Sequence, residues 1–125
     1  MSATTDTRAQ IEKAIQSIVE EVPALAPLKL TFSLVLRARG DAQQFRIELP
    51  GPKISKEVAT DARVTIEMPR AFFNVMADEG ARVADWREAF HYGQAKATGV
   101  SQILKLVERV VDMHEERTRL RRARH

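Results

Sequence analysis

The stretch FSLVLRARGDAQQFRIEL, residues 32–49, alternates apolar and polar side chains on both sides of a short turn. Every second residue is apolar in each arm: Phe32, Leu34 and Leu36 in the first, and Phe45, Ile47 and Leu49 in the second. A period of two is typical of a strand that buries one face. The segment RGDAQ between the arms supplies a turn. The stretch therefore predicts an antiparallel hairpin with one apolar and one wet face.

The segments around the hairpin predict a helix layer and further strands. Apolar residues from Ile11 to Val22 follow a helical period, and the prolines of PALAP (23–27) end that helix before a strand that begins at Leu28. The hairpin is followed by a short strand near Lys53–Ser55, a strand at 64–68, helices at 69–79 and 82–92, a strand in QAKAT (94–98) and a long closing helix. A one-faced sheet needs helices against its apolar side. The order predicts an α+β fold, a two-layer sandwich whose mostly antiparallel sheet of about five strands is covered on one face by helices.

The length of 125 residues fits one compact domain. We assign residues 1–116 to that domain and residues 117–125 to an arginine-rich C-terminal tail. The chain has no cysteine, no apolar run of membrane-spanning length, and an N-terminus without the features of a secretion signal. These features favour a reducing compartment, so we predict a cytoplasmic protein.

The positive charge of the chain is concentrated in its tail. The net charge is +3, but the last nine residues hold five arginines, and without them 15 basic residues face 17 acidic ones. The domain is thus mildly acidic and has no nucleic-acid motif, so no nucleic-acid partner is expected. The tail is either a solvated helix end or a contact for an anionic membrane, formed by Arg117, Arg119, Arg121, Arg122 and Arg124.

The sequence has no motif that predicts catalysis. His91, His114 and His125 lie too far apart along the chain for a metal-binding pattern, so neither a metal nor another cofactor is expected. Nucleophile elbows, phosphate loops and dinucleotide fingerprints are absent from the sequence. Asp85 and Glu88 are three residues apart on a short helix, where paired carboxylates are usually solvated. We therefore predict that the protein is not an enzyme.

Three segments of the chain resemble the sterol carrier protein type-2 family, in its stand-alone bacterial form. The segment FSLVLRARGDAQQFRIEL (32–49) resembles the first hairpin of that family. ARVTIEMPRAFFNVMADEG (62–80) resembles its strand and short helix, and AFHYGQAKATGVSQILKLVERV (89–110) resembles its glycine-bracketed strand and closing helix. The resemblance covers roughly Ile11 to Val111 and rests on the order and spacing of these segments.

The resemblance implies non-covalent carriage of a sterol, fatty acid or fatty acyl-CoA in an apolar cavity between the sheet and the helices. We expect helices 69–79 and 82–92 to gate that cavity, with Trp86 and Phe90 on the buried face of the second helix. The expected lining is Leu34, Leu36, Phe45, Ile47, Val64, Ile66, Phe72, Met76, Trp86, Phe90, Ile103, Leu104 and Val107. In QAKAT, where the family usually has larger β-branched residues, Ala95 and Ala97 leave additional room.

A second interpretation is a regulatory or assembly module that dimerises and fills the cavity with its own side chains. Leu106, Met113 and Leu120 lie off the main apolar stripe of the closing helix and repeat every seven residues. A seven-residue repeat of apolar side chains is typical of a helix that pairs with another helix. The sequence thus leaves open whether the protein is a monomer or a homodimer.

Overall fold

A computed structural model describes the backbone of residues 3–123 and the side chains of residues 7–123. The chain begins with helix α1 and a short 3-10 helix and then forms strands β1 to β4. Two short helices, strand β5 and a long helix follow. In chain order the bounds are α1 (Ala3–Glu21), the 3-10 helix (Pro23–Leu28), β1 (Thr31–Ala38), β2 (Asp41–Glu48), β3 (Lys53–Ser55), β4 (Val64–Pro69), α2 (Arg70–Asp78), α3 (Val83–His91), β5 (Lys96–Gly99) and α4 (Ser101–Ala123).

The five strands form one sheet in the order β3-β2-β1-β4-β5. Strands β1 and β4 are parallel, and the other neighbouring pairs are antiparallel. In this register Leu34 lies opposite Phe45 on one side and Ile66 on the other. Because side chains alternate between the two faces of a strand, this row and its neighbours form one apolar face. The predicted α+β sandwich with a mostly antiparallel sheet is confirmed.

The first strand begins three residues later than the sequence predicts. The alternation of Leu28 and Leu30 suggested a strand from Leu28, but residues 23–28 form a 3-10 helix and β1 begins at Thr31. Lys29 lies between them with a left-handed φ of 49°, and its backbone N–H donates to the carbonyl of Ala26. The bend at Lys29 ends the 3-10 helix and redirects the chain. Leu28 and Leu30 therefore do not belong to a strand, although they continue the alternation of β1.

The helices cover one face of the sheet through two apolar clusters. The larger cluster joins Ile11 of α1, the inward side chains of β1 to β4, and Phe73 and Trp86 of the short helices. The smaller cluster lies where the 3-10 helix meets α3 and α4, and it contains Val22, Leu25, Val83 and Val111. Helix α1 therefore covers the sheet directly, whereas α4 is held mainly by the 3-10 helix and by its junction with β5.

The opposite face of the sheet carries ion pairs. Arg46 lies between Asp61, at 2.6 Å, and Glu48, at 3.1 Å, and Arg37 contacts Glu67 at 2.8 Å. Hydrogen bonds from Arg46 hold the pKa of Asp61 and of Glu48 below their ordinary values. Charged pairs of this kind need water or opposite charge around them, so this face is wet, as the alternation predicted.

Helix α4 continues without a break from Ser101 to Ala123, so the arginines from Arg117 to Arg122 belong to its last turns. Arg124 and His125 lie outside the described residues. None of the helices within residues 3–123 is long and apolar enough to cross a membrane.

Candidate functional site

The apolar face of the sheet has a filled half. Leu34, Leu36, Phe45 and Ile47, four of the expected lining residues, are almost completely buried in the larger cluster. Ile11 of α1 belongs to the same cluster and is also fully buried. These four side chains come together as expected, and they are packed against protein rather than against an open space.

The edge of the sheet formed by β5 and the first residues of β4 is less covered. Val64 and Ile66 are only half-buried, although they lie in the same rows as the buried residues of β1. Ala97 of β5 pairs with Ile66, so it points to the helix side, yet it is exposed. Ala95, immediately before β5, is buried in the larger cluster. The two alanines therefore differ: Ala95 fills the core, and Ala97 borders an uncovered apolar edge.

The first turn of α4 also carries apolar side chains that do not pack into either buried cluster. Ile103 and Leu104 are half-buried, and neither belongs to the two buried clusters. Further along, Val107 packs against the smaller cluster and Val111 is buried within it. The helix is thus anchored in its middle, and its first turn leaves apolar surface near the β5 edge of the sheet.

The two short helices form a lid over the larger cluster. Phe73 of α2 and Trp86 of α3 are buried, with their ring centroids 6.2 Å apart at an interplanar angle of 34°. Phe72 and Met76 are half-buried and pack against the same cluster. The sequence did not single out Phe73, although Phe73, Met76 and Ala77 have the i, i+3, i+4 spacing of a helix face that packs inward.

Phe90 does not lie on the buried face of α3, contrary to the prediction. Its side chain is 36% exposed, and the buried residues of this helix are Val83, Trp86 and Ala89. After α3 the chain turns back, and the backbone N–H groups of Gln94 and Ala95 donate to the carbonyl of Ala89. Ala89 therefore lies beneath the returning chain and is buried, whereas Phe90 lies at the lid edge.

Arg87 links α3 to α4. Its Nη1 lies 2.6 Å from Oε2 of Glu115, and its Nη2 also pairs with Asp112. Partial burial acts to lower the pKa of Arg87, but the charge of Glu115 and the hydrogen bond to Asp112 raise it above its ordinary value. The guanidinium therefore stays charged and connects the lid to the long helix.

Two hollows are the best defined among the described residues. One, of about 20 Å³, lies beside Met76 and Trp86 between α1 and the lid, and it is close to the size of a single water. The other, of about 460 Å³, is an open cleft at the end of β1, lined by Arg37, Arg39 and Arg70 among others. Neither hollow opens between the sheet and α4.

Asp85 and His91 of the lid have structural partners. Asp85 accepts a hydrogen bond from the backbone N–H of Arg82 at 2.9 Å and so caps the start of α3. Glu88 is exposed. His91 and Tyr92 contact each other edge to face, with centroids 4.9 Å apart. Within the described residues, no group of three or more His, Asp or Glu side chains could hold a metal ion.

No protein-family model and no curated protein matches this sequence. Several solved structures match its fold, among them the following three. Palmitated SCP2L2 from Aedes aegypti, a solution structure, is 21% identical with a TM-score of 0.53 and covers 80% of this chain and 93% of its own. Sterol carrier protein 2 like 2 from Aedes aegypti, a crystal structure, is 22% identical with a TM-score of 0.51, over 82% of this chain and 97% of its own.

The third structure is UbiJ-SCP2, a ubiquinone synthesis protein. It is 18% identical with a TM-score of 0.51 and covers 92% of this chain and 96% of its own. All three likenesses extend over most of both chains. The expected resemblance in fold is therefore confirmed, and this chain has the fold of sterol carrier protein 2.

Proposed function

From this fold as the premise, we propose that the protein binds and carries a lipid or another apolar ligand, such as a sterol, a fatty acid or a fatty acyl-CoA, without catalysis. The observation that carries the proposal is the unfilled half of the apolar sheet face. Ala97 of β5 is exposed, and Ile103 and Leu104 of α4 are half-buried outside both clusters. Val64 and Ile66 pack against the larger cluster and keep part of their apolar surface exposed. The proposed site comprises the thirteen residues of the expected lining.

A modest contact is enough for useful affinity. Burying an acyl chain contributes ~0.8 kcal/mol per methylene, so about ten methylenes match the ~8 kcal/mol of a micromolar complex before ordering costs. The half-exposed side chains of β4 and of α4 are suited to this contact because they contribute apolar area without a competing polar group.

The lid and the long helix must move for the ligand to enter. The hollow beside Trp86 is about 20 Å³, which is far too small for an acyl chain. Helices α2 and α3 have nine residues each, and short helices with small buried faces open more easily than long ones. We therefore propose that they gate the site and that the ligand spreads the lid and the first turn of α4 away from the sheet.

Displacement of a fluorescent fatty acid tests the proposal, with Trp86 emission followed in parallel. We expect Ile103→Gln to weaken binding about tenfold, because a polar amide would replace apolar contact with the chain. Ile103 belongs to neither buried cluster, so this variant should remain folded. Val75→Gln is the matched control, since Val75 is exposed on the outer side of α2. The proposal fails if no lipid displaces the probe or alters Trp86 emission.

The membrane is the proposed partner for loading and release. The five arginines of the tail are the proposed contact with anionic lipid. Four of them lie on the last turns of α4, together with the exposed Leu120, and Arg124 lies outside the described residues. A basic helix end with an exposed apolar side chain suits a membrane surface. The cytoplasmic location stays a prediction.

One observation favours a second function, that of a dimerising module. Leu106, Met113 and Leu120 are 39%, 48% and 55% exposed, and they lie seven residues apart on α4. The filled half of the sheet also suits a cavity occupied by the protein's own side chains. Light scattering and native mass spectrometry of the same preparations discriminate the two functions. A dimer without co-purified lipid favours the module, and a monomer with lipid favours the carrier.

A further inference from the structure

A basic cleft lies at one end of the sheet, away from the proposed apolar site. Its volume is about 460 Å³, and its walls include Arg37 and Arg39 from the end of β1 and Arg70 and Asn74 from α2. These elements meet because β1 and β4 are parallel, with Arg37 opposite Pro69 in the register. The strand ends therefore coincide, and α2 starts beside the end of β1. None of the thirteen proposed apolar lining residues lines this cleft.

The positive charges of the cleft are only partly neutralised. Arg37 pairs with Glu67 at 2.8 Å. Arg70 donates from Nη2 to the hydroxyl of Thr7 at 2.7 Å, and this partner carries no charge. Within residues 7–123, neither Arg39 nor Arg70 forms an ion pair with a carboxylate. Three guanidinium groups thus share one acidic partner, which leaves two positive charges facing the same space.

The start of α2 adds to this positive potential. Pro69 precedes the helix and offers no capping side chain, and no acidic residue lies in the first turn. The first backbone N–H groups of a helix need acceptors and carry the positive end of its dipole. Arg70, the first residue of α2, places a further cation there, which is unfavourable unless an anion is close.

We propose that this cleft binds a phosphate monoester. Its terminal oxygens accept hydrogen bonds from the guanidinium groups of Arg39 and Arg70 and from the first N–H groups of α2. A carboxylate has only two oxygens, so it satisfies fewer of these donors. The proposal is independent of the apolar site, because the two share no residue.

Amide shifts in a ¹⁵N-labelled sample of the full chain test the proposal directly. Inorganic phosphate and glycerol 3-phosphate should shift the backbone amides of residues 70–72 in a saturable way, and acetate should bind more weakly. Arg39→Gln should weaken phosphate binding about tenfold, since one charge-assisted hydrogen bond is lost. Arg39 is exposed and unpaired, so this change leaves the fold intact.

Arg109→Gln is the matched control, because Arg109 is an exposed residue of α4 outside the cleft. It should bind phosphate as tightly as the unchanged protein. Equal affinity for phosphate in Arg39→Gln and Arg109→Gln would overturn the proposal. It would also be overturned if acetate shifted the same amides with the same affinity as phosphate.

Vesicles separate the two sources of such a phosphate. Both variants and the unchanged chain are sedimented with phosphatidylcholine vesicles that contain or lack phosphatidic acid. A lower bound fraction for Arg39→Gln alone, with phosphatidic acid present, assigns the cleft to a lipid headgroup. Equal bound fractions, together with saturable shifts from glycerol 3-phosphate, assign it to a soluble monoester. Either result supports a phosphate site, and the absence of both amide shifts and vesicle dependence contradicts it.

Discussion

Gly99 ends β5 where the backbone of β4 leaves no space for a side chain. Its φ is 132°, and a Cβ atom built there would lie 2.1 Å from the carbonyl oxygen of Arg63. Gly93 also has a positive φ, of 76°, but a Cβ atom there would meet nothing within 4 Å. The two glycines that bracket β5 therefore have different roles. Gly93 permits a turn, and Gly99 permits both a turn and a close contact between strands.

Replacing these glycines by alanine should separate the two effects. We expect Gly99→Ala to lower the free energy of unfolding by about 3 kcal/mol, because strain and overlap with backbone atoms add together. Gly93→Ala should cost only about 1 kcal/mol, the cost of the left-handed conformation. Urea unfolding of both variants measures the difference. Equal losses of unfolding free energy in the two variants would show that the close approach of Gly99 to Arg63 does not contribute to the cost of Gly99→Ala.

The sequence predicts the burial of a side chain only where the spacing of nearby apolar residues determines it. Trp86 is buried as its helical period indicates, and so are the alternating residues of the hairpin. Phe90 is the exception, because the chain after α3 folds back onto Ala89, which is buried in its place. That return is a tertiary contact, and the helical spacing of apolar residues in α3 does not indicate it. Phe73 was missed for a related reason, since either of two adjacent phenylalanines could face the sheet.

Helices α3 and α4 are joined by the Arg87 ion pairs described above. Arg87→Gln should lower the free energy of unfolding by about 1 kcal/mol, because partly exposed ion pairs contribute little each. It should also raise hydrogen exchange in α3, since the lid loses its link to α4. Arg82→Gln is the control, because its ion pair with Glu21 is 3.7 Å long and its side chain is 75% exposed. Unchanged exchange in α3 of Arg87→Gln would show that Arg87 does not hold the lid.

Among the elements, those with a clear period were predictable and those set by backbone geometry were not. The hairpin, the strand at 64–68, the two short helices and α4 follow directly from apolar spacing. The 3-10 helix could not be predicted in this way. It ends in a left-handed turn at Lys29, and nothing in the sequence marks a lysine for that conformation. Within the expected lining, the residues of β1 and β2 and Trp86 were predictable as inward-facing, and Phe90 was not. How tightly α1 fills half of that face depends on packing, which spacing does not give.

The molecule as a whole has opposite charge balances in its domain and in its tail. The net charge is +3 with the five tail arginines and −2 without them. We expect the unchanged chain to sediment with anionic vesicles, and replacement of all five arginines by glutamine to remove most of that binding. Each arginine near an anionic surface contributes about 1 kcal/mol, an attraction that salt screens.

Zwitterionic vesicles are the control for this measurement, because they lack the surface charge that the arginines would meet. Four of the substituted residues lie at the end of α4, beyond Val111, its buried anchor, and Arg124 lies outside the described residues, so the fold should be unaffected. Equal sedimentation of the two proteins with anionic vesicles would remove the tail from any membrane role.

One half of the sheet is filled and the other is open, so the residues that stabilise the fold differ from those that would determine which ligand binds. Residues under α1 maintain the fold, and a change there is costly because the space is already occupied. Residues such as Ala97 and Ile103 border open surface, so their size can change at little cost to folding. Mutation can therefore alter the proposed ligand contact along the β5 edge while the α1 side stays constant. Such a scaffold can acquire new cargoes without first acquiring extra stability.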